Sequence, residues 1–208
     1  MNDVIERVAK LKLIPVIKLN TPAEAEPMAK TLINGGLPIA EVTFRTDAAE
    51  EAIKIMHRDY PEIFLGAGTV TTLDQAKKAV AAGACFLVGP GLSEPVAAFA
   101  KENNITYFPG VCTPTEIIKA QEYGINVVKF FPAKAYGGLA TIKAISAAFP
   151  GVKFIPTGGI NADNIAEYLA SDVVIACGGS WVVDNKLVSL GKWDEIEKLI
   201  KEAVSQIQ

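Results

Sequence analysis

One cationic side chain interrupts the run N-V-V-K-F-F-P at residues 126–132, which turns apolar after Asn126 and closes on Pro132. Seven residues bounded by Tyr123-Gly124 and by a proline read as a buried strand rather than a helix. Strands of a parallel sheet covered on both faces are continuously apolar, so Lys129 is the exception that asks for a reason. An ammonium placed there sheds hydration, which favours the neutral amine. Neutral amines attack carbonyl carbon, and the natural product is a Schiff base. The competing structural reading is a strand-end lysine whose ammonium snorkels to water.

A second constellation stands at E-V-T-F-R, residues 41–45. Strand alternation puts Glu41, Thr43 and Arg45 on one face, directed inward if the sheet closes on itself. A carboxylate and a guanidinium in such positions are costly unless they pair with each other or serve a ligand. G-A-G-T at 66–69 offers two glycines that admit a ligand close to the backbone, and the hydroxyl of Thr69. The same glycines would also suit an ordinary tight turn. P-T-G-G-I at 156–160 and C-G-G-S-W at 177–181 each place a Gly-Gly turn after a strand. Backbone amides at such turns near a helix start form a phosphate cradle, with turn geometry alone as the competing reading. A desolvated lysine, a nearby carboxylate, an arginine and threonine for a small carboxylate, and a phosphate cradle form a coherent set. They suit reversible carbon–carbon cleavage of a phosphorylated keto acid through an imine.

These residues need a scaffold that brings strand ends together. Strands are expected at 13–19, 39–44, 63–67, 85–88, 105–108, 126–132, 152–156 and 173–177. Between them lie helical patterns at 21–34, from 47, 72–82, 93–102, 113–122, 138–148 and 161–170, with a last amphipathic helix at 192–205. A short helix at 4–11 precedes the first strand. Thr21-Pro22-Ala23-Glu24 and Thr113-Pro114-Thr115-Glu116 are capping boxes with proline at the first helical position. Regular alternation implies a parallel sheet with right-handed crossovers, and eight units imply a closed (β/α)8 barrel. An open doubly wound sheet is the alternative, but no G-x-G-x-x-G follows the first strand. Residues 1–208 are expected to form a single domain, with the chemistry at the C-terminal ends of the strands.

Composition narrows the function classes. Half of the residues are hydrophobic, 21% are charged and the net charge is -3, which argues against nucleic acid or an anionic membrane as partner. No secretory signal or membrane-spanning run stands out, and a cytoplasmic address is expected. Cys85, Cys112 and Cys177 are odd in number and each lies in or beside an apolar run, so all three are expected to be reduced, buried core thiols. The one histidine, His57, lies in a charged helical stretch and is expected at the surface. With it and no Cys-x-x-C, no zinc site is expected.

The motifs together resemble the 2-keto-3-deoxy-6-phosphogluconate (KDPG) and 4-hydroxy-2-oxoglutarate (KHG) aldolases. I-P-V-I at 14–17, E-V-T-F-R at 41–45, G-A-G-T-V at 66–70, P-G-V at 109–111, K-F-F-P-A at 129–133, P-T-G-G-I at 156–160 and G-G-S-W at 178–181 carry the resemblance nearly end to end. It implies a lyase of the Schiff-base class, trimeric, with no metal or organic cofactor, acting on a small phosphorylated 2-keto acid. It implies that Lys129 forms the imine and that Glu41 is the general acid/base. Arg45 and Thr69 would hold the pyruvate carboxylate, with Thr157, Phe131 and Pro90 lining the pocket. Gly158, Gly159, Gly179 and Ser180 would bind the distal phosphate. Three positions depart from the family pattern: Gly89 replaces a usual serine or threonine, Lys134 a usual glutamate, and Lys18 an arginine found in many relatives. A metal-free phosphosugar isomerase or epimerase, and a non-enzymatic phosphometabolite-binding barrel, are the alternative functions.

Overall fold

The computed structural model describes residues 3–207. Helix α1 (Asp3–Leu11) precedes β1 (Leu13–Ile17), and the alternation then runs α2 (Ala25–Asn34), β2 (Ile39–Thr43), α3 (Ala49–Asp59), β3 (Phe64–Gly68) and α4 (Leu73–Ala81). It continues through β4 (Phe86–Val88), α5 (Glu94–Glu102), the paired segments β5 (Thr106–Phe108) and β6 (Gly110–Val111), α6 (Pro114–Glu122) and β7 (Val127–Phe130). The chain closes with α7 (Gly138–Ser146), β8 (Lys153–Pro156), α8 (Ile165–Leu169), β9 (Cys177–Gly179), α9 (Asn185–Ser189) and α10 (Trp193–Ile207).

Every strand pair is parallel, and the pairs run round a ring. β1 pairs with β2, β2 with β3, β3 with β4 and β4 with β5. Pro109 has no N–H for a ladder, which splits one stave into β5 and β6. β6 pairs with β7 and β7 with β8, and the bridges Phe154↔Val174 and Thr157↔Gly178 carry the ring to β9. β9 pairs with β1, Leu13 lying beside Cys177. Counting β5 and β6 as one stave, this is the expected (β/α)8 barrel.

Local chemistry explains where its elements begin. At α4 the Thr72 hydroxyl accepts from the Gln75 N–H at 3.2 Å, and at α6 Glu116 Oε2 accepts from the Cys112 and Thr113 N–H groups at 2.7 and 2.9 Å. In the 21–24 box, Glu24 Oε2 accepts from the Asn20 N–H at 2.6 Å, and the first turn is 3-10 rather than α. The core is one buried cluster from Val8 to Ile207. Within it Phe64, Phe86 and Phe108, on three adjacent strands, stack at tilted centroid distances of 5.2 and 5.8 Å. Each such ring contributes about 1.5–3 kcal/mol by burial. Arg7 of α1 lies over the Phe64 ring at 4.6 Å, so the expected N-terminal helix packs its cation on the stack.

Three expectations need correction. The last strand is Cys177–Gly179, not 173–177. Residues 173–175 touch the sheet through a bridge to Phe154, whereas 177–179 carry the ladder to β1 that closes the ring. Gly178 and Gly179 are glycines in this strand because neighbours fill their side-chain space: a β-carbon would lie 2.2 Å from Thr157 Oγ1 at Gly178, and 1.8 Å from the Trp181 ring at Gly179. The helix expected over 161–170 is confined to Ile165–Leu169, since Asn161 and Asn164 hold the preceding turn with side-chain bonds to backbone. Of the cysteines only Cys177 is buried; Cys112 is half-buried and Cys85 exposed. His57 is exposed, as expected.

Candidate active site

Glu41 and Lys129 face each other inside the barrel. They sit on the second and sixth staves, which are opposite in the ring, and 88 residues separate them in sequence. Barrel interiors are layered by side chains from alternate strands, so two even-numbered staves can share a layer. Lys129 Nζ donates to Glu41 Oε1 at 3.3 Å, and the two side chains are 7% and 3% exposed. Two formal charges removed from water in this way hold each other in place, and removing either would leave the other uncompensated. The Phe131 ring lies 5.3 Å from the Lys129 ammonium and gives that cation a π face.

Room for the pair comes from a missing side chain. A β-carbon on Gly68 would lie 2.3 Å from Glu41 Oε1 and 2.6 Å from its Cγ. Gly66 makes similar space for the Phe86 ring, at 2.1 Å. The two glycines of G-A-G-T therefore serve packing of the carboxylate and of the aromatic stack. Thr69, next in the chain, takes φ +55°, a left-handed conformation that costs a β-branched residue about 1–3 kcal/mol.

Arg45 is not the inward-pointing residue expected. β2 ends at Thr43, and Arg45 lies beyond it, exposed. Its Nε donates to Thr43 Oγ1 at 3.0 Å, and Thr43 Oγ1 donates to the Ile17 carbonyl at 2.8 Å. The guanidinium is thus tethered at the mouth with the rest of its donors uncommitted to Thr43. Among the described residues no Glu41–Arg45 ion pair forms, so the structural-pair alternative falls away.

Thr157 is buried beside Gly178 at the ends of β8 and β9. Gly158 and Gly159 follow with φ +95° and +80°, which favour glycine. Against them packs the turn after β7: the Ala133 and Lys134 N–H groups donate to the carbonyls of Thr157 and Gly158 at 2.8 and 3.0 Å. Asn164 Nδ2 donates to the Gly159 carbonyl at 2.9 Å and fixes the far side of the loop. Ser180 is exposed just past β9, and Lys18 is half-buried just past β1.

Pro90 is exposed on the turn after β4, and Gly110 lets it approach, since a β-carbon there would meet the Pro90 carbonyl at 2.1 Å. Tyr107, which sequence reasoning missed, pins the same turn. Its hydroxyl donates to the Gly91 carbonyl at 3.0 Å and accepts from the Ser93 N–H at 3.3 Å. Burial pushes the phenol up to about 12, so it stays a neutral donor. That hydroxyl lies 2.5 Å from where a Gly89 β-carbon would be, which accounts for the glycine in place of serine or threonine. Nothing in the local pattern I-T-Y-F-P marks this tyrosine, because its partners are backbone atoms of another loop.

Residues 4–199 match the family described as KDPG and KHG aldolase. The chain belongs to that family. It is 42% identical over 206 residues to the 2-dehydro-3-deoxy-phosphogluconate aldolase of Haemophilus influenzae, covering 99% of this chain and 97% of that one. It is 42% identical over 192 residues to the KHG/KDPG aldolase of Escherichia coli K12, covering 92% and 90%. Among solved structures, the KDPG aldolase of Legionella pneumophila superimposes with a TM-score of 0.92 at 38% identity, covering 96% of this chain and 97% of that one. That protein was captured with pyruvate as a covalent carbinolamine intermediate. Members of the family are carbon–carbon lyases, and the expected fold, class and family stand. Among the described residues no cluster of three or more His, Cys, Asp or Glu is placed to hold a metal, and no helix is long and apolar enough to cross a membrane.

Proposed function

We propose that the chain is a class I aldolase that cleaves 2-keto-3-deoxy-6-phosphogluconate reversibly to pyruvate and glyceraldehyde 3-phosphate through an imine on Lys129. The observation that carries this reading is the buried Lys129–Glu41 contact at 3.3 Å across the barrel. Glu41 takes the ammonium proton, and the freed Nζ attacks the C2 carbonyl to give a carbinolamine. Glu41 returns that proton to the carbinolamine hydroxyl, which leaves as water to give the iminium and restores the carboxylate. Glu41 then accepts the proton of the C4 hydroxyl while the C3–C4 bonding pair moves toward the iminium nitrogen, leaving an enamine and releasing the aldehyde. Returning that proton to C3 and hydrolysing the iminium liberates pyruvate and restores the amine. General acid–base help of this kind is worth about 10²–10⁴ in rate.

Arg45 and Thr69 are assigned to the pyruvate carboxylate, an arginine fork being suited to two oxygens at once. Thr157, Phe131 and Pro90 are assigned to the pocket wall, and Gly158, Gly159, Gly179 and Ser180 to the distal phosphate. The chemistry lies at C2 to C4, so the same pair would act on 4-hydroxy-2-oxoglutarate. No metal or organic cofactor enters these steps. A homotrimer is proposed on the family resemblance, and light scattering tests it. A single domain accords with the one continuous core, and a reducing cytoplasmic address with three unpaired thiols.

The decisive experiment is incubation with pyruvate and borohydride followed by intact mass. The wild-type chain should gain one reduced pyruvate adduct on Lys129, and Lys129→Ala should gain none. An adduct formed at the normal rate by Lys129→Ala would remove Lys129 from the role, and its absence in the wild type would remove the aldolase reading itself.

A further inference from the structure

We propose that Lys134 is a specificity-determining residue: its ammonium reinforces the distal phosphate site and biases the enzyme toward phosphorylated substrates over those ending in a single carboxylate. This rests on the aldolase reading above and assigns a residue that the expected phosphate set leaves out.

Lys134 lies on the turn that follows the strand of Lys129, and its N–H donates to the Gly158 carbonyl at 3.0 Å. That bond seats its backbone on the Gly158-Gly159 loop. The side chain continues along the same surface. A β-carbon on Gly159 would lie 2.4 Å from Lys134 Cβ, 3.2 Å from Cγ and 2.9 Å from Cδ. The stem therefore lies flat across the bare face of Gly159. Two bonds remain between Cδ and the ammonium, which keeps Nζ within about 5.5 Å of that face. Gly159, with φ +80°, is suited to this placement twice over, by its backbone and by its lack of a side chain.

The ammonium is available. Lys134 is exposed, and among the described residues no carboxylate or hydrogen-bond acceptor engages its ammonium. By contrast Lys30, Lys54, Lys78, Lys119, Lys192 and Lys201 are each engaged by a nearby carboxylate. A phosphate monoester carries about -1.5 to -2 at neutral pH against -1 for a carboxylate, so an added cation favours the phosphate. Because the side chain is exposed, water screens the gain, and one charge-assisted contact there is worth about three- to tenfold in binding.

The test compares Lys134→Met, Lys134→Arg and the wild type on 2-keto-3-deoxy-6-phosphogluconate, on the same sugar acid without its phosphate, and on 4-hydroxy-2-oxoglutarate. Lys134→Met should raise KM for the phosphorylated substrate about three- to tenfold with kcat within about twofold. It should leave kcat/KM on the unphosphorylated sugar acid within about twofold and flatten the dependence of KM on salt. Its selectivity for phosphorylated substrate over 4-hydroxy-2-oxoglutarate should fall, while Lys134→Arg keeps wild-type KM. An unchanged KM for the phosphorylated substrate, or an equal loss on all three, overturns the proposal. A pyruvate–borohydride assay on the same samples separates the two readings. No adduct in the wild type removes both, whereas a normal adduct in a Lys134→Met variant whose KM for the phosphorylated substrate equals that of the wild type removes this one alone.

Discussion

Gly68→Ala probes the Glu41–Lys129 pair without altering either of its members. The added methyl would sit 2.3 Å from Glu41 Oε1, 2.6 Å from Cγ and 2.8 Å from Cδ, while ordinary contact begins at 3.4 Å. The carboxylate must therefore withdraw by about 1.1 Å, because strands on either side hold the glycine backbone in register. A withdrawal directed away from Lys129 lengthens the 3.3 Å contact to about 4.4 Å, beyond ion-pair reach. Misplacement of a reacting group by about 1 Å costs about a hundredfold in rate, or about 2.7 kcal/mol of transition-state stabilisation. Overpacking should cost a further ~1–3 kcal/mol of stability. Circular dichroism and denaturant melts report the second effect, and steady-state cleavage coupled to pyruvate reduction reports the first. The expected variant is folded, less stable, still trappable with pyruvate and borohydride, and about a hundredfold slower. A folded Gly68→Ala with wild-type kcat would show that turnover does not depend on where Glu41 is held.

Glu41→Gln keeps the volume but removes the proton acceptor, so kcat should fall about 10²–10⁴-fold, while a borohydride-trapped adduct still forms on long incubation with solvent taking the ammonium proton; unchanged kcat rules out the proton shuttle. Maleimide labelling at pH 8 should modify Cys85 first, Cys112 more slowly, and Cys177 only on unfolding, since burial pushes that thiol up to about 12; early loss of Cys177 would contradict its placement. Glu116 feels burial, which raises its pKa, but the N–H groups of Cys112 and Thr113 and the Thr113 hydroxyl outweigh it and hold the carboxyl below its ordinary 4.5. A carboxylate depressed on folding gives stability that is present above 4.5 and lost as pH falls through its folded value. Glu116→Gln should therefore match the wild type less closely near pH 7 than at pH below the depressed folded value, where the two stability curves converge; parallel curves would refute the cap's charge dependence.

How much of this was legible beforehand follows from how local each signal is. Strand–helix alternation was readable because apolar runs, capping boxes and glycine stops are written within a few residues of one another. Lys129 stood out because a cation in an apolar strand is a local contradiction. β9 was misplaced because Val173–Cys177 is the more apolar stretch, whereas the strand is decided by which residues reach the β1 ladder. Gly68, Gly178 and Gly179 carried the right residue type for a reason that sequence could not give: the atoms filling their side-chain space are Glu41, Thr157 and Trp181.

Sequence by itself determined the periodicity that makes a barrel and the residue types able to form an imine, shuttle a proton and cradle an anion. Only the folded chain decided that Glu41 and Lys129 meet across the lumen, that Arg45 stays outside at the mouth, and that Lys134 lies over Gly159. The physical reason is ring closure: strand order and register fix which distant side chains share one water-poor layer, and no local stretch of sequence encodes that distance.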